Sequence, residues 1–78
     1  MITNEFNEVL NDCDIKYKSK LDEYGESWKE ATIDFLDERL RDEIEEWERV
    51  DNYQDAYKEL IDIINVALMT ATRVKKRI

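Results

Sequence analysis

Between residues 59 and 69 the polar exceptions are Glu59, Asp62 and Asn65, stepping by three through an apolar run of Leu60, Ile61, Ile63, Ile64, Val66, Ala67, Leu68 and Met69. On a helix this spacing makes one narrow polar strip, bordered by Ile63, Val66 and Met69. Ionised carboxylates in such surroundings are costly unless they are paired or bound to a metal. No Lys or Arg lies between Glu59 and Arg73, so a divalent cation is the simpler compensator. A second pair sits earlier in the chain, where Ile33, Leu36, Leu40, Ile44 and Trp47 recur at helical spacing. Glu43 projects near the middle of that stripe and Glu46, one turn on, borders it, whereas Glu45 and Glu48 point towards solvent.

If these two stretches pack antiparallel, Glu43, Glu46, Glu59 and Asp62 converge on one pocket. Two carboxylates ~4 Å apart repel by about 4 kcal/mol at an effective dielectric of 20. That repulsion raises the proton affinity of the group, and a divalent cation relieves it. With no His and a single Cys, the ligands must be oxygens, which fits Mg²⁺, Mn²⁺ or Ca²⁺ rather than zinc. The same composition removes the usual nucleophilic triads.

The elements that must position these groups are helices. Phe6, Leu10, Cys13, Tyr17, Leu21 and Tyr24 form an apolar stripe that predicts a first helix from about Thr3 to Tyr24, closed by Gly25 as a left-handed cap. Gly25 to Trp28 is the connection, and Thr32 is the expected N-cap of a second helix running to about Arg49. Val50 to Tyr53 interrupts the pattern, and Asp51 with Gln54 suggests a capping box for a third helix from about Tyr53 into the basic tail. Neither repeats nor low-complexity linkers appear, so residues 1–78 read as a single all-α domain. The expected architecture is a three-helix protomer that assembles into an oligomeric bundle of four-helix type.

Size and charge narrow the function. A 78-residue monomer buries only roughly 60% of the surface its unfolded chain exposes. One cysteine cannot form an internal disulfide, which leaves oligomerisation, metal, or both as the expected sources of stability. The 20 acidic and 12 basic side chains give a net charge of -8, which repels a nucleic-acid backbone. The lone cysteine, and the absence of a signal-like leader or a long apolar run, point to a cytoplasmic protein with no membrane partner.

The segments Glu43-Ile44-Glu45-Glu46 and Glu59-Leu60-Ile61-Asp62 resemble the ExxE and ExxD signature of MazG-like all-α nucleoside triphosphate pyrophosphohydrolases. The neighbourhoods Leu40-Arg41-Asp42 and Ile63-Ile64-Asn65 are similar to that family's motif helices, and Tyr24-Gly25-Glu26-Ser27-Trp28 resembles the entry segment of its small members. The resemblance covers about residues 20 to 72. It implies Mg²⁺-dependent (or Mn²⁺-dependent) hydrolysis of a nucleoside triphosphate to monophosphate and pyrophosphate by a homodimer or homotetramer. Glu43, Glu46, Glu59 and Asp62 would be the metal ligands, with one carboxylate orienting or deprotonating the attacking water. Larger members continue into a further helix after the second motif, so the expectation is either that a neighbouring subunit completes the pocket or that activity is lost.

Other residues carry two readings each. Asn65 either contacts a base or sugar or is a polar group at a helix contact, and Trp28 either stacks on a base or anchors packing. The cluster Arg73, Lys75, Lys76 and Arg77 offsets the helix dipole, and Arg73 and Lys76 also suit phosphates, most naturally those in a partner's pocket. Lys16, Lys18 and Lys20 read as a solvated face, and Cys13 as a buried hydrophobe. The competing class is a non-catalytic acidic helical protein that binds a basic partner or imitates DNA. A mimic needs its charge outside, which leaves the carboxylates within the most apolar helix unaccounted for.

Overall fold

The computed structural model describes residues 3–78 and contains helices α1 (Asn4–Tyr24), α2 (Ile33–Arg49) and α3 (Tyr53–Lys75), with a short 3₁₀ turn at Ser27–Lys29. Each α-helix begins at a side-chain cap, which satisfies backbone donors that the first turn leaves without partners. Thr3 Oγ1 accepts from the Phe6 N–H at 3.3 Å and Thr32 Oγ1 from the Phe35 N–H at 3.1 Å. The third cap falls one residue later than the sequence pattern suggests: Asn52, not Asp51, accepts from the Asp55 N–H at 2.8 Å. Asn and Asp cap about equally well, so the partner decides. The Asn52 amide returns a bond to the Asp55 carboxylate at 2.9 Å.

Gly25 ends α1 with its N–H on the Leu21 carbonyl at 2.8 Å. Its φ of 59° is the positive value expected of a glycine cap, but its ψ of -148° lies outside the left-handed helical region. The chain therefore leaves in an extended direction open essentially to glycine alone, which swings Ser27–Lys29 back along α1.

Helix α3 is the hub, packing chiefly on α2 and also on α1. The turn at Val50–Asn52 makes α2 and α3 antiparallel: Trp47 and Ala56 flank one hollow at the turn end, while Arg73 donates to the Ala31 carbonyl at 3.2 Å at the other. Helix α1 is fastened to α3 by Asn65 Nδ2 donating to the Cys13 carbonyl at 3.0 Å and by Tyr57 Oη donating to Asp12 at 2.5 Å. Burial and that carboxylate push the Tyr57 phenol up to about 12, the hydrogen bond contributing most.

The core is thin. Cys13, Leu36, Ile61 and Val66 are its buried members among the described residues. Burial raises the Cys13 thiol, which makes it a packing residue rather than a nucleophile. The apolar stripe of α1 is buried only in its middle, since Phe6 and Tyr24 at its ends are 59% and 55% exposed. Among the described residues no helix is long and apolar enough to cross a membrane.

Candidate functional site

The antiparallel turn sets α2 and α3 side by side, so residues at similar distances from it meet. Glu43 and Glu46 lie one turn apart on α2, Glu59 lies near the start of α3, and one carboxylate oxygen from each falls within 4.8 Å of the others. Glu43 Oε2 and Glu59 Oε2 are buried with no hydrogen-bond partner, while Glu46 is exposed and opens the cluster to water. Burial pushes the Glu43 carboxyl up to about 7, reinforced by the charges of Asp62, Glu46 and Glu59 and opposed by Arg39. Burial likewise raises Glu59, with the charge of Glu46 and a hydrogen bond to it adding to the effect. At neutral pH Glu43 is thus about half protonated, whereas an ordinary carboxylate has lost its proton.

The separation suits a hard cation. Mg²⁺ holds oxygens at about 2.0–2.1 Å, so opposed ligands stand about 4.2 Å apart. That spacing falls inside the 4.8 Å that bounds the three glutamate oxygens. What distinguishes these glutamates from the acidic surface is the pair of buried oxygens lacking donors, the state that an unscreened cation or a proton corrects.

Asp62 stands slightly apart from the three glutamates. Its Oδ1 lies 3.6 Å from Lys16 Nζ. The compensating charge for Asp62 therefore comes from α1 and not from α3 itself. Asp62 and Glu43 line a cleft of about 110 Å³, and Lys16, Lys20 and Arg39 bring positive charge into the same cleft. That is smaller than the roughly 300–1,000 Å³ of a drug-sized ligand's pocket, so a nucleotide would fill it only in part and extend beyond its mouth.

Trp28 and Asn65 also line it, with Tyr17 and Tyr24. Trp28 is fixed by its Nε1–H donating to Tyr17 Oη at 2.9 Å, and Tyr17 in turn donates to Glu26 at 3.3 Å. Glu26 pairs with Lys29, which lowers the Glu26 carboxyl and raises the Lys29 ammonium, and Lys29 Nζ sits 5.9 Å from the Trp28 ring centre. Trp28 therefore already meets one cation, so a planar ligand stacking on it would share the ring with Lys29. Asn65 donates one amide N–H to the Cys13 carbonyl, so its second N–H and its amide oxygen are the groups left to a ligand.

Arg73 and Lys76 do not line the cleft. Arg73 ties the entrance of α2 to α3 through the Ala31 carbonyl, its Nε being buried without a partner, and Lys76 is the exposed C-cap of α3. The cleft residues absent from the sequence reading are Lys16, Lys20, Arg39, Tyr17 and Tyr24 as a group. Lys16 and Lys20 were expected in solvent, yet Lys16 is half-buried. Their i, i+4 spacing beside Tyr17 and Leu21 was the available signal, since lysines bordering an apolar stripe lay their stems along it.

No protein-family model matches the chain, nor does any curated protein or solved structure.

Proposed function

We propose that this chain is a MazG-like pyrophosphohydrolase that cleaves a nucleoside triphosphate between its α- and β-phosphates, giving monophosphate and pyrophosphate. The reading is carried by one juxtaposition: carboxylate oxygens of Glu43 and Glu59, buried and lacking donors, beside a cleft that also holds Lys16, Lys20 and Arg39. An acidic cluster alone would serve a basic partner, but here Glu43 and Asp62 share a cleft with cations and aromatic rings. This is the pattern of a site for an anionic, partly aromatic ligand bridged by metal.

Glu43, Glu46 and Glu59 would hold Mg²⁺, with Mn²⁺ as a substitute, and Asp62 would complete the set. When bound there, the ion would supply charge neutralisation of the phosphate oxygens. One carboxylate orients the attacking water and accepts its proton, and the P–O bond to the leaving pyrophosphate breaks. Lys20 and Arg39 would meet the phosphates, and Trp28 and the Asn65 amide would contact base or sugar. Arg73 and Lys76, outside this cleft, would reach phosphates only in a neighbouring subunit.

Assembly into a dimer or tetramer belongs to the same proposal. Trp47, Leu60, Leu68 and Val74 remain between 37% and 52% exposed on α2 and α3, on a domain whose core is thin. Sedimentation at micromolar concentration is expected to give a species heavier than the monomer. A panel of nucleoside triphosphates assayed for Mg²⁺-dependent pyrophosphate release tests the activity directly. Release from at least one is expected, and Glu59→Gln or Asp62→Asn should abolish it while the helical circular dichroism persists. If no nucleotide is cleaved and neither substitution alters Mg²⁺ binding, the acidic, non-catalytic binder of basic partners becomes the better account.

A further inference from the structure

Lys16 occupies an unusual position in the cleft. Its Nζ is 3.6 Å from Asp62 Oδ1, with the two side chains 37% and 29% exposed. At that distance the contact is electrostatic rather than a formed hydrogen bond, so Lys16 is held but not locked. Lys20 and Arg39 line the same cleft, yet neither makes an ion pair with the acidic cluster among the described residues. Lys20 instead lies over the Tyr24 ring at 5.5 Å. Lys16 is thus the cleft cation that is ion-paired to a carboxylate, while Lys20 and Arg39 form the rest of its basic lining. A divalent cation approaching Asp62 must displace this ammonium and withstand its repulsion. A phosphate approaching from the basic side meets the same ammonium as a donor.

We infer that Lys16 makes occupancy of the cleft by a divalent cation and by a polyphosphate mutually dependent. Without phosphate, its ammonium serves as counter-ion to Asp62 and opposes the metal. With phosphate in the cleft, it turns to a phosphate oxygen and releases Asp62. The inference rests on the metal-site reading above and adds to it an order of binding: the chain takes metal together with phosphate, in preference to metal alone. Such coupling is reciprocal, so phosphate must tighten metal as much as metal tightens phosphate.

Calorimetric titrations of the full chain with Mg²⁺ alone, and with inorganic pyrophosphate in the absence and presence of saturating Mg²⁺, test it. In the wild type, Mg²⁺ alone should bind weakly and each ligand should tighten the other. Lys16→Met should tighten Mg²⁺ alone by roughly fivefold to tenfold, as expected for loss of a nearby like charge. The same change should weaken pyrophosphate in saturating Mg²⁺ by about tenfold or more. A purely structural role would not produce opposite signs. Lys16→Arg, which keeps the charge, should preserve the wild-type pattern, and Lys16→Gln replaces Lys16→Met if the latter fails to fold. Lys20→Met should weaken pyrophosphate without tightening Mg²⁺. If Glu59→Gln abolishes Mg²⁺ binding while Lys16→Met leaves it unchanged or weaker, the inference falls and the metal site stands. If Mg²⁺ binding is absent, or insensitive to Glu59→Gln, the metal site falls and takes the inference with it.

Discussion

The carboxylates of this protein live in two environments that differ more than their sequence contexts do. On the outer faces, Asp14, Asp37 and Glu45 pair with Lys18, Arg41 and Arg49 one turn along, with every partner more than half exposed. At the junction of α2 and α3, Glu43 and Glu59 each bury an oxygen with no donor, and burial raises both carboxyls. The same side chain is a solubilising charge in one place and a held proton in the other. Position relative to the α2–α3 seam, and not local composition, makes the difference, because Glu45 and Glu43 are two residues apart on one acidic helix.

The largest expected effect would break this distinction if it failed. Glu43→Gln and Glu59→Gln should each reduce Mg²⁺-dependent pyrophosphate release by at least ~100-fold, beyond the loss typical of groups that merely support a metal ligand. Asp37→Asn and Glu45→Gln, which remove the same charge from the solvated faces, should leave release within about twofold. Equal losses from both sets would mean that overall acidity, rather than the seam, carries the activity.

Much of this organisation is legible in the sequence, for physical reasons that also mark where it stops. The helix boundaries follow from caps and apolar spacing, and Glu43, Glu46 and Glu59 are identifiable because a carboxylate within an apolar stripe violates the pattern around it. The cation facing Asp62 was not legible. Lys16 belongs to α1, and helical periodicity specifies a face without specifying which residue of another helix meets it. The one-residue shift of the α3 cap from Asp51 to Asn52 has a similar origin, since adjacent residues of equal capping strength leave the choice to their partners. Phe6 and Tyr24, at the ends of the α1 stripe, stay largely exposed, because apolar spacing marks a face of a helix without fixing how much of its length a neighbour covers.

A smaller effect sharpens the comparison through stability. Glu43 has a folded-state value near 7, above its ordinary 4.5, so the folded chain binds the proton more tightly than the unfolded chain does. The stabilisation is complete below the ordinary value and is lost as pH rises through the folded one. The melting temperature, after allowance for other groups, should therefore decline between about pH 5 and pH 7.5. Glu43→Gln should flatten that decline and stabilise the protein at pH 7.5 by on the order of 1 kcal/mol, a figure discounted for the water that reaches the cluster at Glu46. Saturating Mg²⁺ should flatten it in the wild type as well. A decline unaltered by Glu43→Gln would place the titrating group elsewhere.

The smallest effect belongs to the outer faces. Asp37 accepts from Arg41 Nε at 3.0 Å, a good geometry for an i, i+4 pair, yet both side chains are more than half exposed. Water screens the attraction and both side chains lose rotamer freedom to make it, so Asp37→Asn should change stability by no more than about 0.5 kcal/mol. Because the net charge is -8, removing a carboxylate also relieves some general repulsion, which opposes the lost pair. The balance should shift with ionic strength: salt screens pair and repulsion alike, so the mutant and wild-type melting temperatures should converge as salt rises. A cost well above 1 kcal/mol that persisted in high salt would show the outer carboxylates to be structurally committed, and the contrast with Glu43 would then reduce to burial of a single oxygen.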